Sequence, residues 1–452
     1  MRQLPQQLLR DLQDIKGFAE DRFVEAHLQP PPVSIRQHSF KARGIFEDNE
    51  AIPWCDSGRY LPSRPVFTLD PLFHAGAYYV QEASSMFLDH IIRHLYPERN
   101  GMRVLDLCAA PGGKSTLIAS LLGEDSLLLS NEVIRTRASI LEENICRWGY
   151  MNTWVCSNDP KDIGKLSGYF DLIVVDAPCS GSGLFRKDPR ALDEWSEANV
   201  ALCSQRQQRI LADVWPALKE DGILIYSTCS YSPQEDENIL DWMQQEYEVE
   251  TLNIPVEQEW GITEIITQSA ATGYRFFPDK IKGEGFFVAA MRKRSEQKNI
   301  LSAKHKLRHE EKVYIQAAHL LKKKEWFCVS AGAGYSAIHP NHEADLNILE
   351  KYVYLRRVGL PLGDPANKEW LPSHDIALSV DVAESIATVK ASKEQALKFL
   401  KKEDAAFPLT ERGWYIVTYN GLGLGWIKSL GNRFNNYLPK HWRIRMDINE
   451  ME

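Results

Sequence analysis

Apolar and polar positions along this chain follow two different periods. Short continuous apolar runs at 104–108, 127–131, 153–157, 172–176 and 223–228 are bounded by turn residues, the pattern of strands covered on both faces. Between them, 115–122, 135–148, 199–218 and 235–245 read as helices. That alternation predicts an α/β domain with a doubly wound, Rossmann-like parallel sheet over 66–295. It finishes with GYRFF at 273–277 and GFFVAAM at 285–291, which predict an antiparallel hairpin at the sheet edge. Residues 1–65 are expected to form a small helical and irregular N-terminal domain, and 296–385 a basic linker and intermediate domain. Residues 386–452 are expected to form a small β-rich domain with strands at 414–419 and 425–427.

Two cysteines sit at strand ends in this pattern. Cys179 closes FDLIVVDAPC (170–179) and Cys229 closes GILIYSTC (222–229), both read as buried parallel strands. Ligands bind beyond the carboxyl ends of such strands, so the two thiols are expected to face one crevice.

Composition narrows the setting. At 452 residues the chain is too long for one ordinary core. Hydrophobic residues at 44% and charged residues at 25% are ordinary for a globular protein. A net charge of -8 argues against a uniformly basic nucleic-acid binder but leaves room for local basic patches. The eight cysteines include no C-x-x-C pair, so no zinc site and no disulfide framework is expected, and a reducing compartment is natural. There is no signal-peptide h-region and no apolar run of membrane-spanning length; a cytoplasmic protein without a membrane partner is expected.

The first strand runs into VLDLCAAPGGKS (104–115), a Pro-Gly-Gly turn opening a helix, where backbone can approach a ligand. A Walker A loop would need glycine at 108, which is Cys108, and no G-x-G-x-x-G fingerprint is present. Glu132, at the end of the second strand, can accept hydrogen bonds from ribose hydroxyls, and Asp159 follows the third strand, where an adenine edge would lie. A glycine turn without a phosphate signature, together with a ribose-binding acid, points to S-adenosyl-L-methionine over NAD or ATP.

The segments LDLCAAPGGKS, DAPCSGSGLFRKDP, YSTCSYSPQEDEN and GEGFFVA, with YYVQEASSM upstream, resemble in order and spacing those of the RNA (cytosine-5) methyltransferases over about 25–295. The end of the chain, from GWYIVTYNGLGLGW onward, resembles the PUA-like RNA-binding domain of bacterial small-subunit ribosomal RNA members. The resemblance implies a class I methyltransferase sheet using S-adenosyl-L-methionine. The cofactor segment would be Cys108, Ala109, Ala110, Pro111, Gly112, Gly113 and Lys114, with Glu132 at the ribose, Asp159 near the adenine and Asp176 near the transfer centre. Cytosine C5 is a poor nucleophile, and addition of a thiolate at C6 makes it an enamine that can attack a methyl-sulfonium. The residues alone leave open which thiol attacks. The resemblance implies Cys229, with Cys179 releasing the product and Asp176 holding cytosine N3 and its amino group.

The implied partner is RNA, with small-subunit ribosomal RNA or the 30S particle favoured. A transfer RNA methyltransferase, or a catalytically silent RNA-binding assembly factor, are the alternatives. A base in a duplex cannot reach such a crevice, so the target must be flipped or single-stranded. Arg186 and Lys187 are expected to hold a phosphate beside it. Two further basic regions suit RNA: 292–324, with eleven Lys or Arg against three acids, and 428–445, where Lys428, Arg433, Lys440, Arg443 and Arg445 interleave with aromatics. A solvated linker and helix face would explain the charge of 292–324 equally well.

Overall fold

A computed structural model describes residues 3–42, 44–296, 301, 308–332, 334–366 and 369–446. Lys298, Lys304 and Lys306 of the basic stretch lie outside these residues.

The alternating segment builds most of a ten-stranded sheet. Its strands are β1 (Arg103–Asp106), β2 (Leu127–Asn131), β3 (Thr153–Cys156), β4 (Phe170–Asp176), β5 (Leu218–Thr228), β6 (Val249–Thr251), β7 (Thr263–Ile266), β8 (Thr272–Phe276), β9 (Phe286–Lys293) and β10 (Leu355–Arg357). They lie in the order β7-β8-β9-β5-β4-β1-β2-β3-β10, with β6 paired to β9. Strands β1 to β5 are mutually parallel, and β8 and β9 form the expected antiparallel pair beside β5. Successive side chains of the parallel strands enter two cores in turn. Leu105, Leu129 and Ile173 go to one, and Val104, Leu128 and Leu172 go to the other. A period of two with both faces covered is why these runs are continuously apolar.

Three features depart from expectation. Strand β4 stops at Asp176 rather than Cys179, because Pro178 has no N–H to continue the ladder. Cys179 therefore lies on a loop, while Cys229 follows β5 directly. Second, the intermediate segment supplies β10, antiparallel to β3. Its arginines hide a strand from a hydrophobicity pattern; they are held by partners on helices, Arg356 by Glu142 and Arg357 by Asp375.

Third, the N-terminal region is not only helical and irregular. After helices at Gln6–Leu12 and Glu20–His27 it forms an antiparallel sheet in the order Ala51–Ile52, Cys55–Leu61, Val33–Gln37, Tyr78–Val80. The strand Val33–Gln37 buries Ser34 and Arg36 as well as Ile35, so no apolar alternation advertises it. Arg36 is 1% exposed and donates to Gln81 Oε1 (2.9 Å) and Thr116 Oγ1 (2.6 Å), fastening this sheet to the helix Gly113–Leu121. Burial pushes its guanidinium down to about 10.

Two smaller four-stranded sheets complete the chain. One comprises Phe327–Ala331, Gly334–Ile338, Leu360–Ala366 and Glu369–Pro372; the other comprises Thr388–Lys390, Gly413–Tyr419, Leu422–Ser429 and Phe434–Asn436. Trp426 is buried between them, donating to Ser373 O at 2.8 Å, so it is core rather than a stacking surface. Three parts of the chain meet at Lys41. Its Nζ donates to Ala75 O (3.1 Å), Arg147 O (2.7 Å) and Leu378 O (2.6 Å). Burial pushes this ammonium down to about 7.

Candidate active site

Strand β1 has β2 on one side and β4 on the other, so the crossovers diverge there and open a crevice at the carboxyl ends. The turn after β1 enters it. Ala109 N–H donates to Asn131 O (2.9 Å), Arg137 donates to Ala110 O (2.8 Å) and Asn144 donates to Pro111 O (2.8 Å). Gly112 caps the helix Gly113–Leu121 at φ 117°, a left-handed conformation that favours glycine. A Cβ at Gly112 would also come within 3.3 Å of Leu141 and Asn144. Beneath the turn Asp106 is fully buried. One of its oxygens accepts from Ser115 Oγ (2.6 Å), and burial pushes the carboxyl up to about 7. Burial likewise raises the Cys108 thiol.

Glu132 follows β2 and is anchored through one oxygen by the Ile134 N–H (2.9 Å), while Arg137 lies 3.3 Å from the other. This is an acid acceptor suited to a ribose diol. Asp159 is exposed beyond β3 and caps the helix Pro160–Ile163 through the Lys161 N–H (3.0 Å). The neighbouring Asn158 exchanges hydrogen bonds with Tyr354, so the segment leading into β10 walls this side of the crevice.

At the other side the two sulfurs of Cys179 and Cys229 are 3.2 Å apart. The hydrogen bond to Cys229, and then burial, push the Cys179 thiol well above its ordinary range. Asp176 sits at the end of β4, accepting from Ser227 Oγ (2.8 Å) and pairing with Lys114 Nζ (2.8 Å). Burial opposes the charge on Lys114, but Asp176 outweighs it and the ammonium is held above its ordinary range. Lys114 also lies 5.2 Å from the centre of the Phe286 ring. The helix that follows the β1 turn and the end of β4 are thus joined through one ion pair.

Sequence reasoning assigned no role to the acids behind the thiols. Glu235 is fully buried and accepts from Ser180 N (2.7 Å), Ser180 Oγ (2.5 Å) and Ser230 Oγ (2.6 Å). These serines directly follow the two cysteines, so one carboxylate holds both loops. Burial pushes Glu235 upward against these donors. Asp236 accepts from Thr228 Oγ1 (2.6 Å), and the buried Arg275 reaches Asp236 (3.2 Å), Glu237 and Tyr231 O. The signal was present in PQEDEN, a run of acids too dense to be only a solvated helix start.

Arg186 corrects an expectation. Its side chain is buried and forms a two-point pair with Glu284, at 3.1 and 2.9 Å. An internal carboxylate already satisfies the guanidinium, so it is not available to a phosphate; Lys187 is exposed. In the C-terminal basic stretch, Arg433, Lys440, Arg443 and Arg445 are exposed, whereas Lys428 pairs with Glu369. Trp442 packs against Arg147 and His374. Among the described residues no group of three or more His, Cys, Asp or Glu is arranged to hold a metal ion.

Comparison with known proteins matches three family models. Residues 93–292 match 16S rRNA methyltransferase RsmB/F, residues 4–83 the N-terminal domain of 16S rRNA methyltransferase RsmF, and residues 387–444 the methyltransferase RsmF PUA domain. The ribosomal RNA small subunit methyltransferase F of Shewanella piezotolerans is 30% identical, covering 86% of this chain and 85% of that protein. The protein of the same name from an Enterobacter species is also 30% identical, covering 93% and 91%. Among solved structures, a methyltransferase homolog protein from Pyrococcus horikoshii is 28% identical with a TM-score of 0.51, covering 64% of this chain and all of that one. NSun6 from the same organism shares the fold at 18% identity, with a TM-score of 0.53, over 65% of this chain and 99% of that one.

Proposed function

We propose, from the premise that this chain belongs to the 16S rRNA methyltransferase RsmB/F family, that it methylates cytosine C5 in small-subunit ribosomal RNA through a covalent adduct on Cys229. An S-adenosyl-L-methionine-dependent rRNA methyltransferase is the coarser statement, and family membership carries it. The finer reading rests above all on the paired sulfurs of Cys179 and Cys229, 3.2 Å apart.

The crevice suits the cofactor on its own geometry. Glu132 is anchored through one oxygen and keeps acceptor capacity on the other, and the turn at Gly112 brings bare backbone to a helix start. In this reading Cys108–Lys114 and Glu132 hold the cofactor, with Asp159 at the adenine side. When bound, S-adenosyl-L-methionine supplies an electrophilic methyl group.

The motif resemblance assigns attack at cytosine C6 to Cys229, the thiol that follows β5 directly. Asp176, at the mouth between the turn and the thiols, is positioned to meet cytosine N3 and the amino group, and Lys114 keeps its carboxylate in place. Attack at C6 raises electron density at C5, which takes the methyl. Loss of the C5 proton then expels Cys229, restoring the aromatic ring. Cys179 acts in this release. The PUA-like end and its exposed cations supply RNA contacts outside the crevice, and a ribosomal RNA substrate goes with a cytoplasmic location. No helix among the described residues is long and apolar enough to cross a membrane.

Bisulfite sequencing of ribosomal and transfer RNA from cells with and without the gene tests this. A 16S cytosine that loses its mark supports the reading. Loss confined to transfer RNA, or no loss at all, contradicts it.

A further inference from the structure

A groove of about 780 Å³ lies between the N-terminal sheet and the methyltransferase domain, where no ligand is assigned. One wall carries Pro30–Pro32 and Pro62–Arg64, and the other carries Lys187 and the loop 281–284. Its lining packs against the walls of the crevice at two places. Gln81 lines the groove and also flanks the cofactor turn, where a Cβ on Gly113 would lie 3.7 Å from it. The loop 281–284 continues into Gly285, whose carbonyl packs on Gly183, and the Gly183 N–H donates to Cys229 O at 2.9 Å. The groove is thus one layer of buried residues away from the turn after β1 and from the loop that follows Cys179.

The exposed charged residues of the groove lining, Arg64, Lys187 and Lys282, are all cations. Glu284 is held by Arg186. Glu82 accepts from the backbone N–H groups of Ser84 (2.9 Å), Ser85 (3.0 Å) and Glu284 (2.8 Å). Lys282 is paired with Glu50 and lies over Tyr60. Arg64 and Lys187 are both exposed in the groove lining. Among the described residues Arg64 contacts the Phe67 ring at 5.5 Å but neither cation forms an ion pair. Two exposed cations outside any ion pair, in a groove that also carries Pro30–Pro32 and Pro62, suit the backbone phosphates of a polynucleotide. A flipped target base requires the strand beside it to leave the duplex.

We propose that this groove holds the single-stranded RNA flanking the target cytosine, with Arg64 and Lys187 on its phosphates. The inference rests on the RNA substrate proposed above and replaces Arg186 by Arg64 as the partner of Lys187. The test is fluorescence anisotropy with a labelled single-stranded RNA over a range of salt, comparing the unmodified chain with R64A/K187A. Losing two phosphate contacts on a single strand should lower the slope of log K against log salt by about 1.4. Affinity at low salt should fall about tenfold. Binding of S-adenosyl-L-homocysteine, read by calorimetry, should be unchanged, which separates this loss from misfolding. An unchanged slope and affinity in a chain that still methylates RNA overturns the groove and leaves the proposed function standing. An unmodified chain that binds no RNA overturns both.

Discussion

The carboxyl and amino ends of the parallel strands bury charge by opposite means. At the carboxyl ends buried acids gather: Asp106 on the Ser115 hydroxyl, Glu235 on the Ser180 N–H and two hydroxyls, and Asp236 on Thr228 and the buried Arg275. At the amino ends Lys41 is buried on three carbonyl oxygens, two of them at the C-terminal ends of the helices Arg135–Trp148 and His374–Leu378. The chain's own polarity explains the contrast. In a βαβ unit a strand's carboxyl end leads to a helix N-terminus, which offers N–H donors, while helix C-termini return to the amino ends and offer acceptors. The donor-rich end is where buried carboxylates are held, and the acceptor-rich end is where one lysine can clamp three parts of the chain.

The largest effect expected from breaking this contrast is at the clamp. Lys41→Met fills the same space but strands three buried carbonyls, and should cost about 3 kcal/mol of stability. Urea unfolding measures it, and methyl transfer per folded molecule should change by less than about threefold, because the clamp is far from the thiols. A chain of undiminished stability would mean that Lys41 does not hold the junction.

At the opposite end, Glu235→Gln should act on rate. Three donors converge on the carboxylate, and an amide offers one oxygen and turns an N–H toward a donor, so one serine must move and carry its cysteine with it. Single-turnover methyl transfer should slow about 100-fold, equivalent to about 2.7 kcal/mol. Affinity for S-adenosyl-L-homocysteine should not change. Full-rate transfer would show that the thiol spacing does not depend on this acid.

A smaller effect sharpens the contrast through pH. Asp106 is pushed from 3.8 up to about 7, so the folded chain binds the extra proton in that interval and stability falls as pH rises through it. Lys41 is pushed from 10.5 down to about 7, so there the unfolded chain binds the extra proton and stability rises from pH 7 upward. Asp106→Asn should flatten the falling limb and Lys41→Met the rising one, each by about 1–2 kcal/mol in unfolding titrations at about pH 5, 7 and 9. Limbs that stay unchanged would place the titrating groups elsewhere.

The two ends also differed in how far they could be read beforehand. The carboxyl end was legible because chemistry concentrates there in short contiguous runs. The turn at 108–114, Glu132, Asp176 and both cysteines all come to one crevice. What escaped was pairwise. Nothing local says that Lys114 belongs with Asp176, or that Arg186 is consumed by Glu284, almost a hundred positions away. The amino-end clamp was illegible for the same reason in stronger form. Lys41 is an unremarkable lysine in a loop, and its three partners are backbone oxygens, which leave no residue signature. The N-terminal sheet and β10 were hidden because arginines occupy positions where a hydrophobicity pattern expects apolar residues.

The division of labour between the two sulfurs is the centre of this account, and trapping the adduct tests it most directly. Cys179→Ala removes release but not attack. Incubated with RNA and S-adenosyl-L-methionine, this variant should accumulate a covalent protein–RNA species that survives denaturing electrophoresis, while the same chain carrying Cys229→Ser should form none. An adduct that persists in Cys229→Ser and disappears in Cys179→Ala would reverse the roles of the two thiols.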